Sequence, residues 1–512
     1  DCVTHMSDAT NPVTPNAVTP VEFSSKKAQT FEQTFLRQVE HYDRACTPVE
    51  SAQCLRALVR SKVLNFRDMK EQPERFFLAH RLLATRILGG FGIRFTVQFN
   101  LFAGSILGLG CDAQIGELDG MQERGELGCF GLTEVDAGVM SGLIVETTAI
   151  WQDSSKEFVI HTPHAGAAKN WISQGLVADW VVVIAELSIG GKRHGPHPFL
   201  VQMRRKGRLV AGISVEDMGT KTVANDLDNA RISFHQLRVP RESLLRRFAH
   251  VSVAGAYELA DPKERMRIEV IGQRLLTGRL VIAQAAVVAA RALLARTRDY
   301  ARAKHCNSLA GKVALAQLPQ LRTLFDGAFA DLERASAFCA AVEARLSRCL
   351  RSDGIPDGSL VEAICVAKVR CIDVATDVQH RLEREVGSYA LMHGTGFEYK
   401  DMLLCCRFAE GDSRILMQKM ARDRLTAMRA HGVAKELLGA VAGGSAAQRA
   451  ESRLALQLGR AMDAARREGR GAVARVWDEQ WETVYALADT ICERHLAGSR
   501  TGDFAEPIVA RL

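Results

Sequence analysis

At 512 residues the chain is too long for one simple core, so two to four domains are expected. Hydrophobic residues at 47% and charged residues at 24% fit an ordinary soluble globular protein, and no run of eighteen apolar residues predicts a membrane span. The net charge of +7 comes from 66 basic and 59 acidic residues scattered without basic blocks. That excludes a nucleic-acid footprint and suits a small partner that carries phosphates.

The first residues, rich in Thr, Pro, Asn and Ser, predict a disordered lead over 1–26. From 27 to 126 apolar residues recur at helical spacing, as in Phe35, Val39 and Tyr42, with Pro48 and Pro73 at helix starts. Phe91 to Leu109 is apolar nearly throughout and predicts a buried helix pair, interrupted by Arg94 and Asn100. Between 127 and 250 the period changes. Runs such as Trp180 to Ile184 and Phe199 to Met203, separated by turn residues, predict a compact and mostly antiparallel β domain.

Helix returns over 263–430. Leu275 to Leu294, Val313 to Leu350, Leu360 to Leu391 and Met402 to Arg429 predict a four-helix bundle. A Gly/Ala/Ser linker, Gly439 to Ala447, then leads to a helical tail within 431–512. The fold class is α+β: N-terminal helices, a middle antiparallel β domain, a C-terminal four-helix bundle and a short helical tail.

The 13 cysteines form no CxxC pair and their number is odd, which predicts free thiols in a reducing compartment. No metal site is expected, because His161-x-x-His164 and His194-x-x-His197 have no acidic or Cys partners beside them. The last residues, Ala510-Arg511-Leu512, match a relaxed form of the C-terminal peroxisomal signal. Mitochondrial and cytoplasmic locations are the alternatives.

Two segments carry chemistry. Phe408-Ala409-Glu410-Gly411-Asp412-Ser413 sets a glutamate at the entrance of a helix, and Gly128-Cys129-Phe130-Gly131-Leu132-Thr133-Glu134 opens the β region. Together they resemble the catalytic glutamate and flavin-binding strand of the acyl-CoA oxidase and acyl-CoA dehydrogenase superfamily, nearest the oxidases. The resemblance spans roughly residues 76–424. It implies FAD as cofactor, an acyl-CoA substrate and a homodimer or larger assembly. Removing hydrogen across Cα–Cβ of an acyl thioester needs a base, a hydride acceptor and donors to the carbonyl oxygen. No side chain accepts hydride, so a flavin is required.

On that resemblance Glu410 is the base, Thr133 lies against the flavin's pyrimidine end, and Trp171 and Ser173 of Lys169-Asn170-Trp171-Ile172-Ser173 lie near its reactive edge. Arg279 of Thr277-Gly278-Arg279 is placed near the CoA moiety. Gly394 and Gly396 form a turn that meets a neighbouring subunit's flavin phosphates. Lys304 stands where the family has an arginine, which keeps the charge and loses the bidentate fork. His393 replaces the first glycine of the turn. Ser173 is the dehydrogenase residue at a position where oxidases commonly have glycine, so an electron-transfer flavoprotein is the alternative electron acceptor to oxygen. A non-catalytic flavin- or acyl-CoA-binding scaffold is the third reading.

Overall fold

The computed structural model describes residues 25–42, 46–86, 89–138, 144–261, 273–309, 311–442 and 444–497. Most of the expected lead and the C-terminal tripeptide lie outside them.

Helices α1 (Ser25–Val39), α2 (Pro48–Ser61), α3 (Asp68–Glu71) and α4 (Pro73–Arg86) come first. Thr47 caps α2 in a box with Glu50, and Pro48 fills the first turn. The apolar stretch expected as a helix pair is one continuous rod. Helix α5 (Gly90–Thr96) runs through a π-helical segment (Val97–Ala103) into α6 (Gly104–Leu109). Arg94 does not break it, because its buried guanidinium meets Asp228 at 2.8 Å and the Asp226 carbonyl at 3.1 Å. A buried charge stays when it is paired and hydrogen-bonded. Helix α7 (Asp112–Arg124) ends at the left-handed Gly125.

The β region holds β1 (Gly128–Gly131), β2 (Thr148–Gln152), β3 (Glu157–His161), β4 (Lys169–Ser173), β5 (Trp180–Ile189) and β6 (Lys192–Gln202). It continues with a two-residue pair, β7 (Arg204–Arg205) and β8 (Arg208–Leu209), then β9 (Ile213–Asp217), β10 (Asn229–Phe234) and β11 (Leu237–Pro240). One sheet runs β1-β5-β2-β3-β11 with β6 on the far edge of β5, and a second runs β4-β10-β9. Most pairings are antiparallel, as expected, but β1 and β2 both lie parallel to β5, at opposite ends of it. Parallel pairing joins strands distant in sequence and leaves no hairpin signature to read. Gly128 packs so closely under Phe102 that a side chain there would enter the ring, which seats β1 on the π-helical segment.

The long helices are α8 (Gln273–Ala303), α9 (Pro319–Arg351), and α10 (Gly358–Val366) continuing through a second π-helical segment (Ala367–Cys371) into α11 (Ile372–Val386). Helix α8 is long and apolar enough to cross a membrane, yet 72% of its most apolar stretch is buried inside the protein. The helix expected from Met402 to Arg429 is two: α12 (Lys400–Phe408) and α13 (Ser413–His431). The break is at Glu410 and Gly411, both at positive φ (60° and 102°), a conformation that ends a right-handed helix.

The expected linker is partly helical, since Gly439 lies inside α14 (Val433–Ala442). The tail is α15 (Ala446–Glu468), α16 (Arg470–Glu479) and α17 (Trp481–Ala497), folded back on the bundle. Arg424 binds Glu436 and Glu451, and Arg494 binds Glu451 and Glu362, joining α10, α13, α14, α15 and α17. The cysteines from Cys46 to Cys492 are free thiols.

Candidate active site

Glu410 sits between α12 and α13 with φ of 60°, a left-handed conformation uncommon for a side-chain-bearing residue. The turn aims its carboxylate at α8. There Gly278 leaves the space that the carboxylate fills, and a Cβ at 278 would collide with it. Glu410 is half-buried as a residue, but Oε2 is shut from water and has no hydrogen-bond partner among the described residues. Desolvation pushes its pKa up from 4.5 to about 7, against the opposing pull of Arg279 and Lys368.

Arg279 holds the turn through Nε, which donates to the Glu410 carbonyl at 3.1 Å. Lys368, fully buried in the second π-helical segment, donates to the Cys406 carbonyl at 2.5 Å and the Arg407 carbonyl at 3.2 Å. It thereby closes the last turn of α12, just before Glu410. Burial lowers its own pKa to about 8. Sequence reasoning missed Gly278 and Lys368; the signal was a lone lysine inside Ile364-Cys365-Val366-Ala367-Lys368-Val369.

The second group of expected residues gathers at the end of β1 and along β4. The Thr133 carbonyl, just past the end of β1, accepts from the Asn170 N–H at 2.8 Å, so Thr133 lies beside the strand that carries Trp171. Trp171 has φ of 57° and is 57% exposed. Ser173 is half-buried opposite Asn229, whose amide donates to its hydroxyl at 3.3 Å. An open indole flanked by two hydroxyl-bearing residues fits the ring system of a flavin: it offers an apolar face to cover and polar groups at the rim. Glu134, next to Thr133, is buried and fully engaged. It accepts from Lys169 Nζ at 2.7 Å and from the N–H groups of Glu146 (2.7 Å) and Thr147 (2.9 Å).

Gly394 and Gly396 lie elsewhere. Their N–H groups donate to the Glu398 carboxylate at 2.9 and 2.7 Å, an anion held by the turn's own chain. Gly396 packs against Leu293 and Arg296, toward the C-terminal end of α8, whereas Gly278 touches Glu410 near its start. The eighteen residues from 278 to 296 separate these points by ~27 Å at 1.5 Å per residue. Lys304 follows the end of α8 and is exposed, leading into the hairpin β14 (His305–Ser308) and β15 (Gly311–Ala314), which comes after the pair β12 (Ala249–Val251) and β13 (Tyr257–Leu259). One chain does not bring all the expected residues together.

The metal expectation needs one correction. The fold brings Glu146 within 3.5 Å of His164, and these two with Asp136 have ligand atoms within 4.8 Å of one another. The acidic partners come from separate loops, so residue spacing could not reveal them. All three residues are exposed, and the cluster carries no metal assignment. His197 is held by Tyr257 and the Gly195 carbonyl instead.

No family model matches the chain. It is similar to peroxisomal acyl-coenzyme A oxidase 2 of Arabidopsis thaliana, 31% identical over 262 residues, which cover 47% of this chain and 37% of that protein. It is also similar to human peroxisomal acyl-coenzyme A oxidase 3, 39% identical over 165 residues, covering 31% and 23%. The matched stretch thus takes in well under half of each relative's length. Among solved structures it resembles acyl-CoA oxidase-2 of Caenorhabditis elegans, solved with FAD, ascaroside-CoA and ATP. The TM-score is 0.76 at 18% identity, covering 94% of this chain and 78% of that one. The fold is that of the acyl-CoA oxidases. Part of the sequence is thus similar to peroxisomal acyl-coenzyme A oxidases, and the fold agrees with theirs.

Proposed function

We propose that the chain is an FAD-dependent acyl-CoA oxidase. It would convert a fatty acyl-CoA to the trans-2-enoyl-CoA with oxygen as final acceptor and hydrogen peroxide as product, a step of fatty acid β-oxidation. The observation that carries this reading is the Glu410 carboxylate, with one oxygen unpartnered and its pKa near the working range. A base for a weakly acidic Cα–H works best when its pKa lies near the ambient pH and water does not compete for it. Glu410 takes the α-proton. Arg279 and Lys368 hold its turn. Thr133, Trp171 and Ser173 receive the flavin ring, and bound FAD supplies the hydride acceptor that no side chain offers.

Arg279, half-buried beside the same turn, is assigned to the substrate side. Gly394, Gly396 and Lys304 are assigned to the flavin of a second copy, so the working unit is a homodimer or larger. The distance between the two ends of α8 supports that division, and a flavin-loaded active monomer in light scattering would refute it. The peroxisomal names of the Arabidopsis and human relatives support a peroxisomal location.

Ser173 favours one rival, a dehydrogenase that hands electrons to an electron-transfer flavoprotein. The deciding experiment measures flavin content of the purified protein, reduction by an acyl-CoA panel and reoxidation in air. Peroxide formed stoichiometrically with enoyl-CoA supports the oxidase. Fast reduction, slow reoxidation in air and fast turnover on an electron-transfer flavoprotein would establish the rival.

A further inference from the structure

Ser173 closes β4 and stands directly opposite Asn229, the first residue of β10. Paired residues of an antiparallel ladder send their side chains to the same face. Asn229 is buried, and its amide donates to Ser173 Oγ at 3.3 Å. That bond occupies a lone pair of the hydroxyl oxygen and leaves the hydroxyl proton unspent. The Ser173 side chain makes no other hydrogen bond among the described residues. The chain on either side of the pair is fixed. Asp228 Oδ1 accepts from Arg94 Nη2 at 2.8 Å, Asp228 Oδ2 from the Leu176 N–H at 2.7 Å, and the Asp228 carbonyl from the Gln174 N–H at 3.0 Å. Asp226 caps α5, taking the Gly90 and Phe91 N–H groups at 3.0 and 2.7 Å. Asn229 therefore starts β10 from an anchored loop, with its own carbonyl held by the Met218 N–H at 3.0 Å.

We propose that Asn229 is a positioning residue for the cofactor: by donating to Ser173 Oγ it keeps the Ser173 hydroxyl as a hydrogen-bond donor toward the bound flavin ring. The inference rests on the flavin reading above and adds a residue that acts on that site through another. The rim of an oxidised flavin ring is mostly acceptors, carbonyl oxygens and bare nitrogens, with a single N–H. A serine free to turn would spend its proton on whichever acceptor lay nearest, its own backbone or water. The Asn229 amide removes that freedom, because the hydroxyl proton is repelled from the N–H that already meets the oxygen. Of the two capacities a hydroxyl has, the site then presents the one the ring rim needs, fixed before the cofactor arrives. A carboxylate at position 229 would do the reverse. It accepts only, so it would draw the proton away and turn a lone pair of Ser173 toward the ring.

The test is a double-mutant cycle on the full chain, with FAD affinity measured by calorimetry and the visible absorption of bound FAD recorded beside it. Asn229→Asp should weaken FAD binding about 10-fold, the worth of one buried hydrogen bond. Ser173→Ala should do the same. Adding Asn229→Asp to Ser173→Ala should cost less than about twofold more, since no hydroxyl is left to turn. Both single variants should move the visible flavin band in the same way, a signature that loosened packing alone does not give. If Asn229→Asp does not fold, Asn229→Leu keeps the size and removes the donor. It should lose about threefold in affinity, again only when Ser173 is present. Full FAD affinity in these Asn229 variants, or an equal loss with and without Ser173, overturns the proposal while leaving the flavin reading intact. A native chain that takes up no FAD would sink the flavin reading and the inference with it.

Discussion

Glu134 and Glu410 each lie beside an oppositely charged residue, Lys169 and Arg279, and the fold treats them in opposite ways. Glu134 is wholly buried and saturated: Lys169 and two backbone N–H groups take its oxygens. Glu410 keeps Oε2 out of water with nothing bound to it, in a strained backbone conformation, on a helix break that Arg279 and Lys368 brace from outside. A saturated buried carboxylate fixes structure. An unsaturated one stores free energy that a substrate can use, and strain of this kind gathers at functional sites. The contrast separates two glutamates that composition alone would rank alike.

The largest expected effect is on the saturated member. Glu134→Gln leaves Lys169 buried without a counter-charge, a change that costs about 3–5 kcal/mol when one partner of a buried pair is removed. The lysine, whose pKa burial already lowers to about 8, would shed its proton and hold the loss to the lower end of that range. Urea unfolding at pH 7 measures it. A loss below about 1 kcal/mol would show that Glu134 is not the structural member of the comparison.

Glu410→Gln should act on rate and leave the fold intact. Turnover falls at least ~100-fold while acyl-CoA still binds. Stability moves the other way. Because the folded pKa of Glu410 is raised from 4.5 to about 7, its contribution to stability is complete below 4.5 and is lost as pH rises through 7. Above that point the native carboxylate costs the protein up to about 3 kcal/mol, and the glutamine does not. The variant should therefore unfold later than the native protein at pH 8 and equally at pH 4. The native rate should rise on an acid limb centred near pH 7, since the base must be ionised.

A third change tests whether the position of the Glu410 carboxylate matters as much as its charge. Gly278→Ala sets a methyl group where that carboxylate lies. Displacing a reacting group by about an ångström costs up to ~100-fold in rate. Turnover should drop ~10- to 100-fold, and the pH profile should shift because the displaced carboxylate is solvated differently. Unchanged turnover and profile would mean that Glu410 works from another place.

How far the sequence carried this distinction depends on which forces set each feature. Glu410 and the segment from Gly128 to Thr133 were singled out through a family resemblance carried by local residues, and the strand in that segment is β1, Gly128–Gly131. The order of helices and strands followed from a change of hydrophobic period that one window of residues can display. Lys368 was not legible, because its significance is burial against the end of α12, and burial is decided by helices distant in the chain. The same holds for β1 and β2 against β5. Their parallel pairing is fixed by tertiary packing, whereas the antiparallel β5–β6 pair announced itself through Gly190-Gly191. Arg94 misled for a related reason: a charge inside an apolar run reads as an interruption until Asp228, far along the chain, is seen to meet it.

The smallest expected effect comes from the glycine that plays the part of Gly278 beside the other glutamate. Gly131 closes β1 next to Lys169, and a Cβ there would stand 3.4 Å from a Val181 methyl carbon and 3.6 Å from Lys169 Cγ. Those are ordinary van der Waals contacts, so alanine fits without moving either side chain. The Lys169–Glu134 pair lies beyond that Cγ and keeps its bonds. Gly131→Ala should change stability by no more than about 0.5 kcal/mol and turnover by less than about twofold. The same substitution is thus expected to be silent beside the saturated glutamate and damaging beside the unsaturated one. If Gly131→Ala instead slowed turnover as much as Gly278→Ala, the end of β1 would belong to the reacting centre, and Glu134 could no longer be set apart as purely structural.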